Sequence, residues 1–178
     1  IMEITDNVSV MRRGEMVADF CAGAGGKTLA IGATMRSTGR LYAFDVSAHR
    51  LDALKPRMAR SGLSNIHPAA IAHERDERIK RLAGKIDRVL VDAPCSGLGT
   101  LRRNPHLKWR QSAKAVQELV VKQAAILDSA ARLLKPGGRA CVQSIVIDDA
   151  LFERYVQGTD FIQQYVFPGG CLPSPARF

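Results

Sequence analysis

The sequence predicts an α/β fold, a mostly parallel sheet with helices on both faces. Three observations predict it. Short apolar runs alternate with longer amphipathic ones along the 178 residues. Glycine-rich or acidic turns follow several of the short runs. One run, Arg88-Val89-Leu90-Val91, is apolar between charges, the pattern of a strand buried on both faces.

The elements follow in order. Residues 16–20 read as a strand ending in a glycine-rich loop, and 27–36 as a helix closed by the turn Ser37-Thr38-Gly39. Residues 41–44 are a second strand ending at Asp45. Ser47 is placed to cap a helix that runs to about Ser61 and stops at Gly62. Pro56 inside it predicts a kink or an early break. Residues 66–72 are a third strand, and 74–82 a charged helix ended by Gly84. Residues 88–91 form the fourth strand. Residues 113–134 form a long amphipathic helix closed by Lys135-Pro136-Gly137-Gly138, and 139–146 a fifth strand. Right-handed crossovers in such a sheet gather the loops at the strands' carboxyl edge, where ligands bind.

Composition narrows the class. An apolar fraction of 46% supports a sizeable core and excludes global disorder. No apolar run reaches the ~20 residues that span a bilayer, and no signal peptide opens the sequence. The expectation is a soluble, cytoplasmic, monomeric chain forming one domain over 1–178. The cysteines Cys21, Cys95, Cys141 and Cys171 are far apart and form no C-x-x-C pair, so free thiols and no metal site are expected. His49, His67 and His73 read as surface residues. The formal charge of +9 favours a polyanionic partner. The basic stretch 101–110, with Arg102, Arg103, Asn104 and Lys108, reads as a solvated loop or as a lip that contacts RNA phosphates; His106 lies within it.

Two loops carry chemistry. Asp19-Phe20-Cys21-Ala22-Gly23-Ala24-Gly25-Gly26-Lys27-Thr28 joins the first strand to its helix. Glycines there let backbone approach a ligand, and the helix start offers unpaired N–H groups. Asp45 stands about 20 residues on, the spacing of an acid that grips ribose hydroxyls. Its bland alternative is a helix cap; that of Asp19 is an acceptor that closes the loop. Lys27-Thr28 follow the glycines too closely for a phosphate cradle. An acid inside the loop repels pyrophosphate but accepts bonds from a methionine amino group, which points to S-adenosylmethionine. The second loop, Asp92-Ala93-Pro94-Cys95-Ser96-Gly97, follows the fourth strand. Asp92 can accept a hydrogen bond from an exocyclic amine, and Cys95 offers a nucleophilic thiolate favoured by cationic neighbours. A thiolate added to C6 of a pyrimidine makes C5 nucleophilic, provided the base has left its stack. Cys21 reads as lining the cofactor pocket, and Cys141 as core.

On these motifs, residues 13–138 resemble the RNA cytosine-C5 methyltransferases, specifically the bacterial enzymes that modify small-subunit ribosomal RNA. Asp19 to Thr28 is similar to that family's cofactor loop, D-x-C-A-x-P-G-G-K-T, with Ala24 in place of proline. Asp92 to Gly97 is similar to D-A-P-C-S-G; Arg103-Asn104-Pro105, Lys108-Trp109 and Lys135-Pro136-Gly137-Gly138 also resemble family segments. The resemblance implies a Rossmann-like methyltransferase fold and S-adenosylmethionine held by Asp19, Cys21 to Lys27, Asp45, Asp92 and a third acid, Asp76, near the adenine. It also implies a second cysteine, in a T-C-S motif near Ile145, as nucleophile, with the D-A-P-C-S-G cysteine assisting product release.

The T-C-S motif is not in this sequence, nor are the family's D-G-F-F-like closing strands and N-terminal RNA-binding regions. Intact core motifs, with breaks clustered after Cys141, favour missing stretches. Otherwise Cys95 acts alone, as the Pro-Cys cysteine does in DNA cytosine methyltransferases, or the domain is an inactive cofactor- and RNA-binding module. Methylation of an amino group (N4 or N6) is the rival chemistry, because Asp92-Ala93-Pro94-Cys95 is shaped like D-P-P-Y.

Overall fold

The computed structural model describes residues 11–97, 103–110, 112–137, 148–158 and 176. The chain divides into two compact units, Ile1–Pro94 with Val121–Arg139, and Cys95–Val120 with Ala140–Phe178. The first holds four parallel strands: β1 (Met16–Asp19), β2 (Arg40–Asp45), β3 (Ile66–Ala70) and β4 (Arg88–Leu90), in the order β3-β2-β1-β4. Helices α1 (Gly26–Thr34), α2 (Ala48–Ser61) and α3 (Glu77–Lys80) connect them. The second unit holds α4 (Leu107–Arg110) and α6 (Asp149–Gln157), while α5 (Ala113–Leu133) begins in the second unit and ends in the first.

Period-two alternation along the strands divides the core between two faces. Val17, Leu41 and Ala43 join Ile31 of α1 and Leu51 and Leu54 of α2. Ala18 and Phe44 point the other way, into a cluster with Ile79 of α3 and Ile126, Ala130 and Leu133 of α5. Helices therefore cover both faces, as the alternation of segments predicts. Phe20 meets Phe44 edge-on, with centroids 6.4 Å apart. The end of α5 is fixed to the entry of β4: the Ile86 N–H donates to the Leu133 carbonyl and the Lys135 N–H to the Ile86 carbonyl.

The sequence-derived boundaries need four corrections. Helix α2 starts and stops as expected: Ser47 Oγ accepts from the Arg50 N–H, and Gly62 closes it at φ 66°. It does not break at Pro56. Proline removes one N–H, but the buried side chains Leu51 and Leu54 still fix the helix on the sheet. Helix α3 is shorter than expected, because Asp76 caps it and holds 71–76 as a turn. The β4 residues are half-buried rather than buried on both faces. The basic stretch is not loop throughout, since Leu107–Arg110 makes one helical turn. The fifth strand expected at 139–146 falls outside the described residues.

Gly39 tightens the turn into β2. Its φ is +68°, and an added Cβ would lie 2.2 Å from the Glu15 carbonyl oxygen. Gly62 has a similar φ of +66° but open space around it. Gly39→Ala should therefore destabilise the chain by about 3 kcal/mol and Gly62→Ala by about 1 kcal/mol, read from urea denaturation midpoints. Equal losses would show that the backbone at Gly39 yields freely.

Candidate active site

The strand order reverses at β1, with β2 on one side and β4 on the other. A crevice opens at such a reversal, outside the carboxyl ends of the strands. The glycine loop after β1 and the segment from Val91 to Pro94 after β4 both leave from this edge.

The loop is shaped by its neighbours. The Ala22 N–H donates to the Phe44 carbonyl and the Gly25 N–H to the Ala22 carbonyl, both at 2.9 Å. Gly25 precedes α1 at φ 81°, where a Cβ would strike Leu54 Cδ1 at 2.1 Å. Only glycine allows loop and α2 to pack this closely. Arg57 of α2 donates through Nη1 to the Ala24 carbonyl at 2.6 Å. This bond steadies the position where the resembled family carries proline.

Three acids converge on the loop. Asp45 is buried; its Oδ2 accepts from the Gly23 N–H and its Oδ1 from the Ser47 N–H, each at 2.8 Å. It thus ties the end of β2 to the loop after β1, and the helix cap is Ser47 rather than Asp45. Asp19 is 1% exposed, and the Thr28 hydroxyl donates to its Oδ2 at 2.7 Å. Its Oδ1 is buried without a well-formed hydrogen bond. Asp92 lies just past the end of β4 with its Oδ2 2.6 Å from Lys27 Nζ, so an ion pair spans the strand reversal. Both side chains are partly exposed, and the pair adds little to stability.

The other expected residues have these surroundings. Asp76 Oδ1 accepts from the Arg78 N–H and Oδ2 from the Ala72 N–H, so it shapes the turn after β3. These bonds hold its carboxyl below the usual range. Burial, aided by Asp45 and Asp19, pushes the Cys21 thiol up to about 11. Cys21 therefore stays protonated at neutral pH and is a wall of the crevice, not a nucleophile. Gln123 of α5 donates to the Pro94 carbonyl at 2.8 Å and supports the segment that carries Asp92. Neither Gln123 nor Arg57 is marked by any local sequence pattern; only tertiary packing brings them to the loops.

In the second unit, Cys95, Arg103, Asn104 and His106 are exposed, and Lys108 lies in α4. Arg102, Cys141, Ile145 and Cys171 fall outside the described residues. His49, His67 and His73 are exposed, as expected. Among the described residues, no helix is long and apolar enough to cross a membrane.

Burial pushes the Asp19 carboxyl up to about 6 from 3.8, with Thr28 opposing and Asp92 adding to the shift. The folded chain binds this proton more tightly than the unfolded one does. The stability linked to it is complete below pH 3.8 and lost as pH rises through 6, a penalty of about 3 kcal/mol at neutral pH. Asp19→Asn should then be more stable than the parent at neutral pH by roughly 1–3 kcal/mol. The gap should close toward acid pH, as followed by urea denaturation across the range. A parent that is the more stable at neutral pH would contradict this.

Residues 9–147 match the family model described as 16S rRNA methyltransferase RsmB/F. A probable ribosomal RNA small subunit methyltransferase B of Synechocystis is 38% identical over 80% of this chain and 33% of its own length. A 28S rRNA (cytosine-C(5))-methyltransferase of mouse is 34% identical over 84% of this chain and 21% of its own length. The chain thus spans a third or less of these relatives. NSun6 from Pyrococcus horikoshii, solved with SFG, superposes at TM-score 0.65 with 27% identity, over 76% of this chain and 34% of that one. A methyltransferase homologue from Pyrococcus horikoshii superposes at 0.60 with 33% identity, over 72% and 38%. The fold is that of the S-adenosylmethionine-dependent methyltransferases, and the chain belongs to the RsmB/F family of 16S rRNA methyltransferases.

Proposed function

We propose that this chain, acting as one catalytic domain, transfers a methyl group from S-adenosylmethionine to C5 of a cytosine in ribosomal RNA. The observation that carries the reading is the ion pair that spans the strand reversal. There the Lys27–Asp92 pair stands beside the buried carboxylate of Asp19, whose second oxygen lacks a good donor. The relatives' names supply the substrate class.

The residues present fit the cofactor. Asp19 sets a buried carboxylate with one poorly satisfied oxygen beneath the loop, which favours a cationic group of a ligand above it. A Cβ at Gly23 or Gly26 would meet nothing within 4 Å, so the loop leaves room beside it. Asp45 uses one acceptor direction of each oxygen on Gly23 and Ser47 and keeps others for ribose hydroxyls. Cys21 to Lys27 form the rest of the seat, with Asp76 beyond the end of β3. Bound there, S-adenosylmethionine supplies an electrophilic methyl group on a sulfonium.

Asp92 accepts from the exocyclic amine of the target base, and Lys27, 2.6 Å away, holds that carboxylate in position. Cys95, three residues on, is the candidate thiolate. Adding to C6, it leaves C5 electron-rich. Once C5 carries its methyl group, a base removes the C5 proton, the electron pair restores the ring double bond, and the thiolate leaves. Arg102, Arg103, Asn104 and Lys108 contact the strand's phosphates. The chain does this as a monomer in the cytoplasm.

RNA containing 5-fluorocytosine blocks the last step, because fluorine does not leave as a proton does. Incubated with cofactor, the chain should form a covalent adduct seen by intact mass spectrometry, and Cys95→Ser should abolish it. Methylated product without any adduct would exclude the thiolate route and favour transfer to an amino group. Arg57→Ala should weaken cofactor binding about fivefold in calorimetry, the loss of one partly exposed charge-assisted bond of about 1 kcal/mol. Ala24→Pro in that background should recover part of it by fixing φ, since the Ala24 N–H has no hydrogen-bond partner among the described residues. Unchanged affinity in Arg57→Ala would free the loop from this clamp.

A further inference from the structure

A second basic feature lies on the same edge of the sheet, beyond the end of β3. Residues from His73 to Arg81 line an open surface hollow of about 440 Å³. Its lining carries four permanent cations, Arg75, Arg78, Lys80 and Arg81, against two carboxylates, Asp76 and Glu77.

The acids are already engaged. Asp76 holds two backbone N–H groups, and its Oδ2 lies 3.6 Å from Arg78 Nη1. Glu77 Oε1 lies 2.6 Å from Lys80 Nζ. Arg78 also donates to the Ala70 carbonyl at 2.7 Å, which fixes it at the strand end. Arg75 and Arg81 are exposed, and among the described residues neither has an ion-pair partner. A helical face that is merely solvated pairs its charges along the surface and is convex. Here two guanidinium groups remain uncommitted around a concavity that is wide enough for a phosphate group.

We propose that this cavity is a phosphate-binding subsite for the RNA strand, separate from the basic stretch at 101–110 and holding the strand through Arg75 and Arg81. The inference rests on the RNA reading given above. Guanidinium groups suit a phosphodiester because their forked donors match its oxygens. Each phosphate so neutralised releases counterions, which makes binding depend on salt. The subsite reads no sequence; it fixes the position of the strand along the edge.

The test is the salt dependence of single-stranded RNA binding, measured by fluorescence anisotropy on the whole chain. Arg75→Gln with Arg81→Gln should make the slope of log K against log salt shallower by about 0.7, the value for the one phosphate that is no longer neutralised. The single variants should each give about half of that. Arg40→Gln with Arg60→Gln removes the same charge away from this cavity, Arg40 lying at the opposite edge, and should leave the slope almost unchanged. Circular dichroism and calorimetric affinity for S-adenosylmethionine identify folded variants. An unchanged slope in the Arg75 and Arg81 variants overturns the subsite while leaving the RNA reading intact. Equal flattening in the Arg40 and Arg60 variant also overturns it, because net charge alone would then explain the effect. If inorganic phosphate binds the parent and not the Arg75 and Arg81 variant, while the RNA slope is unchanged, the cavity is a free-anion site and the strand assignment fails. A parent chain that binds no RNA removes both readings.

Discussion

The bond from the Gly23 N–H to Asp45 Oδ2 is the constraint on which the crevice depends. Parallel strands place the ends of β1 and β2 side by side but leave the loops free to diverge. Asp45 couples them: one oxygen holds the glycine loop and the other holds the turn into α2. Helix α2 then returns the constraint, because Leu54 packs where a Cβ on Gly25 would lie and Arg57 holds the Ala24 carbonyl. The loop is thus fixed from both of its flanks. A ligand meeting it finds N–H groups at the start of α1 already oriented, so little ordering entropy remains to be lost on binding.

This arrangement carries a stability cost. A carboxylate that is 1% exposed, with one oxygen poorly satisfied, opposes folding. Nothing in the packing of β1 requires an acid at position 19; an amide or small polar residue would close the same loop through Thr28. The cost makes physical sense where a cationic ligand completes the pair. Residues that violate good burial rules tend to mark function, and Asp19 is the clearest such violation among the described residues.

Much of the frame was legible because it rests on local physics. Alternating apolar residues placed β1 and β2, Ser47 and Gly62 bounded α2, and the glycine loop announced the turn into α1. The failures share a cause. Pro56 signals a break only if the helix stands alone, whereas α2 is fixed to the sheet by Leu51 and Leu54. The residues after β3 look helical by composition, yet Asp76 draws them into a turn by accepting from Ala72 and Arg78. Within the candidate site, the glycines, Asp19, Asp45, Lys27 and Asp92 could be named from their motifs. Their pairing could not, because the Lys27–Asp92 contact joins residues 65 positions apart. Arg57 and Gln123 were invisible for the same reason: they act on the loops only through the fold.

Charge is distributed in a way that net composition hides. The chain carries +9 overall, yet Asp19, Asp45 and Asp92 gather at the glycine loop, Asp92 paired with Lys27 and Asp45 3.7 Å from Arg50. The groups sense one another there: Asp92 raises the carboxyl of Asp19, and Asp45, Asp19 and Asp92 all raise the thiol of Cys21. Lys27, Arg50 and Arg57 offset much of this negative charge, so a ligand meets the field of individual groups rather than one uniform sign. The positive charge gathers around Arg75 and Arg81, and along the sequence at 101–110. The sign that a ligand meets therefore differs from group to group along the chain. Such a division of charge is invisible in the total. It also explains why total charge alone said so little about which small molecule the loop would accept.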